Sequence, residues 1–321
     1  MSRCEMFFAP LTESFIAFRK ACDRWNELCY GRNLKRFVRH CVEQYPEAAE
    51  LSQEMIGSWC GKRDTESNNS CRARVYVVGA FVEYLRERGL TDAHGPNLPQ
   101  KQKCKYIPHA FTEQELANFF RACDEIEVKA NAPIKITRKL TVPVFFRLLY
   151  SSGLRTNEAR QLRTDCVDLK YGVINISASK GNDQRFVALH DSMLKIMRRY
   201  DSAIKEHCPG RQYFFPSLAG GYYRESWLQY NFQQLWLKYN DSRASAYDLR
   251  HNYAVENVNR WIGDGFDYYA KLVCLSKSMG HSTLESTKYY VHLVPALAEL
   301  IEEVSGESFD DIVPEVDYAS F

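Results

Sequence analysis

Residues 162–189 read LRTDCVDLKYGVINISASKGNDQRFVAL. On either side of them apolar residues recur every three to four positions, the period of a helix. Within them the period shortens to that of strands. Three β-like runs, Cys166–Leu169, Val173–Ile176 and Phe186–Leu189, are separated by Lys170-Tyr171-Gly172 and by Ser179-Lys180-Gly181-Asn182-Asp183. That spacing predicts a three-stranded antiparallel sheet with a Gly-Asn-Asp turn. One small sheet in a helical chain makes the fold mainly α, with an α+β arrangement.

Working outward, Leu140 to Ser151 reads as an apolar helix stopped by Ser152-Gly153, and Arg155-Thr156-Asn157-Glu158 opens another. Thr112 and Glu115 have the spacing of a capping box. Helical periodicity resumes near Asp191, returns over Ser226–Tyr239 and continues through Ala244–His292. Four amphipathic segments precede Gly89: Phe15 to Leu28, Leu34 to Tyr45, Ser52 to Trp59 and Cys71 to Arg88. They predict a small N-terminal bundle over residues 1–90. Residues 91–110 hold three prolines and no apolar period, as an exposed linker would. A mostly helical second domain is expected over residues 111–303, with an acidic tail over 304–321.

The net charge of +2 hides an asymmetry. Residues 299–321 hold eight acids and no Lys or Arg, which leaves the first 298 residues at +10. A basic body suits a polyanion, although an ordinary solvated surface has the same composition. The eleven cysteines include no CxxC pair, which argues against both a disulfide framework and a zinc site. With no apolar run long enough to span a bilayer and no signal-peptide pattern, the expectation is a cytoplasmic protein with no membrane partner.

Several residues have the chemistry to hold and break a phosphodiester. Arginine is always charged, planar and bidentate, which suits the non-bridging oxygens. Arg155 follows a Ser-Gly turn, Arg250 lies in the run Tyr247-Asp248-Leu249-Arg250-His251, and Lys180 sits at a hairpin tip. His281 follows Gly280, with Tyr290 nine residues later. Taken singly, each is as well explained by a surface charge or a core aromatic. Their joint order carries the weight.

That order resembles the tyrosine recombinase, or phage integrase, family. The matching segments are LLYSSGLRTNEARQL (148–162), SKGNDQR (179–185), YDLRHNYA (247–254) and MGHSTLESTKYYVH (279–292). The resemblance implies that the N-terminal lobe is a SAM-like four-helix core-binding domain and the second a catalytic domain. It implies a site-specific recombinase that needs no cofactor or metal. Tyr290 would attack the phosphorus to give a 3′-phosphotyrosyl intermediate and a free 5′-hydroxyl. Arg155, Arg250 and His281 would bind the phosphate, and Lys180 would protonate the leaving oxygen. Glu158 would support them from behind, with His251 and His292 bracing the helices. The substrate would be double-stranded DNA, bound by a dimer on one site and a tetramer in the synapse. Integration, excision or transposition of a mobile element would be the purpose. Arg72, Arg74, Lys101, Lys103 and Lys105 are further candidates for DNA contact.

Tyr247 departs from the family pattern, in which a histidine commonly stands three residues before the second arginine. A phenol is a poor neutral base near pH 7 but donates a hydrogen bond well, so Tyr247 is expected to be a phosphate ligand. Tyr289 and Tyr290 lie ~100° apart on a helix, so only one can face the phosphate. The count from His281 favours Tyr290. The acidic tail, with Phe309, Ile312, Val313, Val316 and Phe321 among its acids, suits either docking on a neighbouring protomer or a frayed end. Rival readings are a type IB topoisomerase-like nick-and-reseal enzyme, a DNA-binding regulator derived from a recombinase, and a docking or phosphorylation motif at Lys288-Tyr289-Tyr290.

Overall fold

The computed structural model describes residues 2–102, 107–128, 132–176, 184–261, 266–284, 286, 287 and 290. Lys180, Lys103, Lys105, Tyr289, His292, the 179–183 turn and the acidic tail lie outside the described residues. The chain forms two compact units, Met1–Tyr106 and Ile107–Phe321.

In the first unit, α1 (Arg3–Ala21) starts earlier than the apolar period suggests, because the Ser2 hydroxyl caps it by accepting from the Glu5 N–H. The helix stops at Ala21, so Trp25 and Leu28 do not continue it; a π-helical turn, Glu27–Gly31, leads into α2 (Arg32–Gln44). Helix α3 (Gln53–Cys60) is capped by Ser52, and α4 (Asn68–Arg86) by Ser67. Phe8, Phe15, Phe37, Phe81 and Leu85 are buried between these helices. Each such side chain contributes about 2 kcal/mol by leaving water. Gly89 takes φ +65° and the Leu90 N–H returns to the Leu85 carbonyl, ending α4 where a left-handed residue was expected.

The segment after Gly89 differs from a solvated linker. Thr91 donates to the Leu51 carbonyl, Gln53 exchanges hydrogen bonds with His94, and Asn69 does so with Gln102. Residues 91–102 are therefore laid back along α3 and α4. Prolines there set the path, while side chains of the helices satisfy the backbone.

The second unit begins at α5 (Glu113–Asp124), where Thr112 and Glu115 form the expected reciprocal cap. Helix α6 (Pro133–Ser152) is the central element, packed against α5, α8 (Asp191–His207) and α10 (Asp248–Arg260). The short α7 (Thr156–Arg160) follows it. Phe119, Phe146, Phe232 and Trp236 stack between α5, α6 and α9 (Glu225–Trp236). The predicted sheet is present in the order β1-β2-β3, antiparallel throughout: β1 Val167–Asp168, β2 Val173–Ile176 and β3 Arg185–Ala188. Strand β3 lies against α11 (Phe266–Met279). Among the described residues no helix is long and apolar enough to cross a membrane.

Candidate active site

The site is built around the turn Met279-Gly280-His281 at the end of α11. Gly280 takes φ +68°, which favours glycine, and a Cβ there would lie 2.7 Å from Nη1 of Arg185 and 3.1 Å from Nη1 of Arg155. The missing side chain is what lets two guanidinium groups approach the backbone.

Arg155 occupies the N-cap position of α7. Its backbone N–H and its Nη1 donate to the two oxygens of Glu158, each at 2.8 Å, and its Nη2 donates to the Gly280 carbonyl. Arg250 projects from the first turn of α10 and is 2% exposed. Its Nη1 donates to the Gly153 carbonyl and its Nη2 to the Met279 carbonyl at 2.8 Å. Gly153 closes α6 at φ +61°, where a Cβ would run into the Tyr253 ring. Two glycines thus set the backbone that receives the two arginines. Burial lowers the Arg250 pKa, but the group stays a cation at any working pH.

His281 is fixed at both nitrogens. Arg250 Nη2 donates to its Nε2 at 3.1 Å, so the proton is on Nδ1, which donates to the Thr287 hydroxyl at 2.6 Å. Burial, followed by the charges of Arg250, Arg155 and Arg185, lowers its pKa to about 4. The ring is therefore neutral near pH 7. Tyr290 stacks on it with ring centroids 6.0 Å apart, and also meets His251 at 5.5 Å. Tyr290 is 3% exposed, packed with Ala254, Val258, Leu272, Leu275 and Met279. Burial lowers the His251 pKa as well. Tyr247 is exposed and meets His251 edge-on at 5.0 Å.

The structure thus brings Arg155, Glu158, Arg250, His251, His281, Tyr247 and Tyr290 into one neighbourhood. It adds a residue the sequence reading passed over. Arg185, at the start of β3, donates Nη1 and Nη2 to the two oxygens of Glu158 at 3.0 and 2.6 Å, and Nε to the Ser278 carbonyl at 2.7 Å. Burial pushes the Glu158 carboxyl up, but the bonds from Arg185 and from the Arg155 backbone outweigh it and hold the pKa below its ordinary value. The missed signal was strand parity. The expected strand began at Phe186, yet Phe186 is exposed and Val187 is buried, so alternation places Arg185 on the inner face with Val187.

The basic candidates of the first unit divide. Arg74 is a correction: it is buried, its Nε and Nη2 donate to the two Glu66 oxygens at 2.9 and 2.7 Å, its Nη1 donates to the Trp59 carbonyl, and its Nη2 also reaches the Gly61 carbonyl. Its charge is met inside the unit, by Glu66. Arg72 is half-buried and donates to the Pro99 carbonyl at 2.9 Å, whereas Lys101 is exposed. The cationic face is instead on α2, where Arg32, Arg36 and Arg39 are exposed at i, i+4 and i+7. Among the described residues none of the three forms an ion pair. That spacing was readable from the sequence, but the apolar side of the same helix drew the reading.

Residues 109–296, more than half of the chain, match the phage integrase family. The chain is 29% identical over 271 residues to y4rE of Sinorhizobium fredii, a provisional integrase/recombinase by name, covering 81% of this chain and 83% of that one. It is 24% identical over 225 residues to the tyrosine recombinase XerD of Rhizobium meliloti, covering 69% of each. In fold it is similar to the XerH site-specific recombinase in a post-cleavage complex with its palindromic difH substrate. The TM-score is 0.57 at 17% identity, over 87% of this chain and 78% of that one.

Proposed function

Because this chain belongs to the phage integrase family, a site-specific recombinase that cuts and rejoins DNA strands, we propose that the cluster around Met279-Gly280-His281 is its strand-transfer site. The observation that carries this reading is convergence. Arg155 and Arg250, from different helices, both bond to carbonyls of one turn, whose histidine stacks on Tyr290.

The roles follow from the chemistry. Arg155 and Arg250 neutralise the non-bridging oxygens and the further charge of the pentacoordinate phosphorane. The phenol oxygen of Tyr290 attacks phosphorus in line and expels the 5′-oxygen. A 3′-phosphotyrosyl bond forms as the 5′-hydroxyl is released. The bond keeps the phosphodiester energy, so a second 5′-hydroxyl can reverse the step on another strand. Lys180 supplies the leaving-group proton, and Tyr247 donates a hydrogen bond to the phosphate. Tyr290 is covered by apolar neighbours, so its phenol must be uncovered before it meets DNA.

Double-stranded DNA is the substrate. The exposed face of α2, in the N-terminal core-binding unit that we take to span residues 1–90, supplies phosphate contacts, and so does Lys101 in the segment that follows it. A dimer occupies each site and a tetramer forms in the synapse, on nucleoid DNA in the cytoplasm, in the service of a mobile element. The acidic tail suits docking on a neighbouring protomer.

Trapping tests the reading directly. Incubation with nicked suicide duplexes is expected to yield a covalent complex whose DNA ends in a 3′-phosphotyrosine at Tyr290. Tyr290→Phe should abolish it and Tyr289→Phe should not. The reverse pattern would move the nucleophile to Tyr289, and no adduct with any duplex would favour a decayed, purely DNA-binding protein. Relaxation of a plasmid lacking a target site would instead favour the topoisomerase-like reading.

A further inference from the structure

We propose that Arg185 is a positioning residue for strand cleavage: it takes a full bidentate share of the Glu158 carboxylate and so holds Arg155 in place without neutralising it. The proposal rests on reading the cluster as a phosphate site.

The Glu158 side chain is 4% exposed and receives four donors on its two oxygens. Oε1 takes Nη1 of Arg155 and Nη1 of Arg185, while Oε2 takes the Arg155 backbone N–H and Nη2 of Arg185. A carboxylate has about four acceptor sites, so this one is filled. One negative charge faces two positive ones, and a whole positive charge is left over. The two arginines differ in access. The Arg185 side chain is 7% exposed and that of Arg155 is 24% exposed. The surplus charge is therefore available through Arg155. Without Arg185 the buried carboxylate would have Arg155 as its sole charged partner, and the guanidinium needed by the phosphate would be spent on Glu158.

Arg185 also sets distance. Its Nε bonds the Ser278 carbonyl, two residues before the glycine whose missing side chain admits both guanidinium groups. One side chain thereby registers β3, α7 and the turn before His281 against each other. The neighbouring inward position on β3 is Val187, as a purely architectural strand requires. A buried arginine beside it, every nitrogen bonded, has a different task.

The test uses the full chain and a suicide duplex selected by wild-type covalent capture from a randomised nicked library. Arg185→Gln and Arg185→Lys are expected to bind this duplex as wild type does, but to cleave it at least about 10²-fold more slowly, the scale of a misplaced reacting group. On the same duplex with a methylphosphonate at the scissile position, which lacks the charge that Arg155 meets, the deficit should shrink to within about tenfold. An equal deficit on both duplexes would overturn the proposal. So would recovery confined to a 5′-bridging phosphorothiolate, whose thiolate leaves without a proton, since Arg185 would then act on the leaving group. If Arg185→Gln does not fold, Arg185→Lys, which keeps the cation but loses the bidentate fork, carries the same comparison between the two duplexes. If the wild type captures no duplex, the strand-transfer reading itself fails, which is distinct from failure of Arg185 alone.

Discussion

Nη2 of Arg250 donates to Nε2 of His281 at 3.1 Å, in a site where burial and the neighbouring guanidinium charges keep the ring neutral. An imidazolium cannot accept from a guanidinium, so the neutral ring is the form that fits. The unfolded imidazole titrates near ~6.5, and the folded one at about 4. Between those values the unfolded chain holds a proton that the folded chain does not. The stability His281 contributes is therefore full above pH ~6.5 and lost as pH falls toward 4. His251, also lowered by burial, acts with the same sign. His281→Gln should flatten the fall in urea midpoint between pH 6.5 and 4.5. Parallel falls in variant and wild type would mean that the ring is not held neutral.

Gly280 leaves no room for a side chain. A Cβ there meets Nη1 and Cζ of Arg185 at 2.7 and 2.9 Å, and Arg185 cannot retreat because Glu158 and Ser278 hold it. Gly280→Ala also places a side chain at φ +68°. The expected result is a loss of about 10²-fold or more in single-turnover cleavage, with DNA affinity by fluorescence anisotropy nearly unchanged. An alanine variant that cleaves at the wild-type rate would show that the two arginines are not set by this turn.

Arg74 and Arg36 have opposite fates in the same unit. Removing Arg74 leaves the Glu66 carboxylate largely buried beside the Trp59 and Gly61 carbonyls, so Arg74→Ala should cost about 3 kcal/mol of unfolding free energy. Arg36→Ala should leave stability alone and instead weaken DNA binding equally across sequences, reducing the salt slope by about 1. A titration over salt concentration, paired with urea melts, separates the two. If Arg36→Ala leaves the salt slope intact, α2 does not face phosphate.

The sheet, the central helix and the two glycine stops were legible because they rest on local rules: strand period, helix period and the need for φ above zero. The bond network of the site was less so. Lys-Gly-Asn marks the hairpin tip by its turn residues, while nothing local marks Arg185, five residues on. Its burial depends on an α11 that arrives ninety residues later in sequence. Arg74 failed in the other direction, since a basic residue on α4 looks free until Glu66 folds onto it. Local patterns report the backbone well. The partner of a long charged side chain is a tertiary fact.

Tyr247 stands where a relative would carry an imidazole, and its surroundings limit what it can do. It is exposed, edge-on to His251 at 5.0 Å, and His251 in turn faces Tyr290 at 5.5 Å. A phenol at the rim can donate one hydrogen bond to a bound phosphate, and a bond to a charged group is worth about 1.5–3 kcal/mol. Tyr247→Phe should therefore slow cleavage by roughly 10- to 100-fold. Unchanged cleavage would remove Tyr247 from the phosphate. Tyr247→His is the sharper variant, because it restores a group able to accept a proton near pH 7. If the wild-type site runs without such a base, this variant should cleave faster and acquire a rate limb that falls off below pH ~6.5. A rate that does not rise, with no new limb in its pH profile, would mean that proton removal from Tyr290 is already served by a group in place, and His251 is the imidazole nearest to it among the described ring contacts.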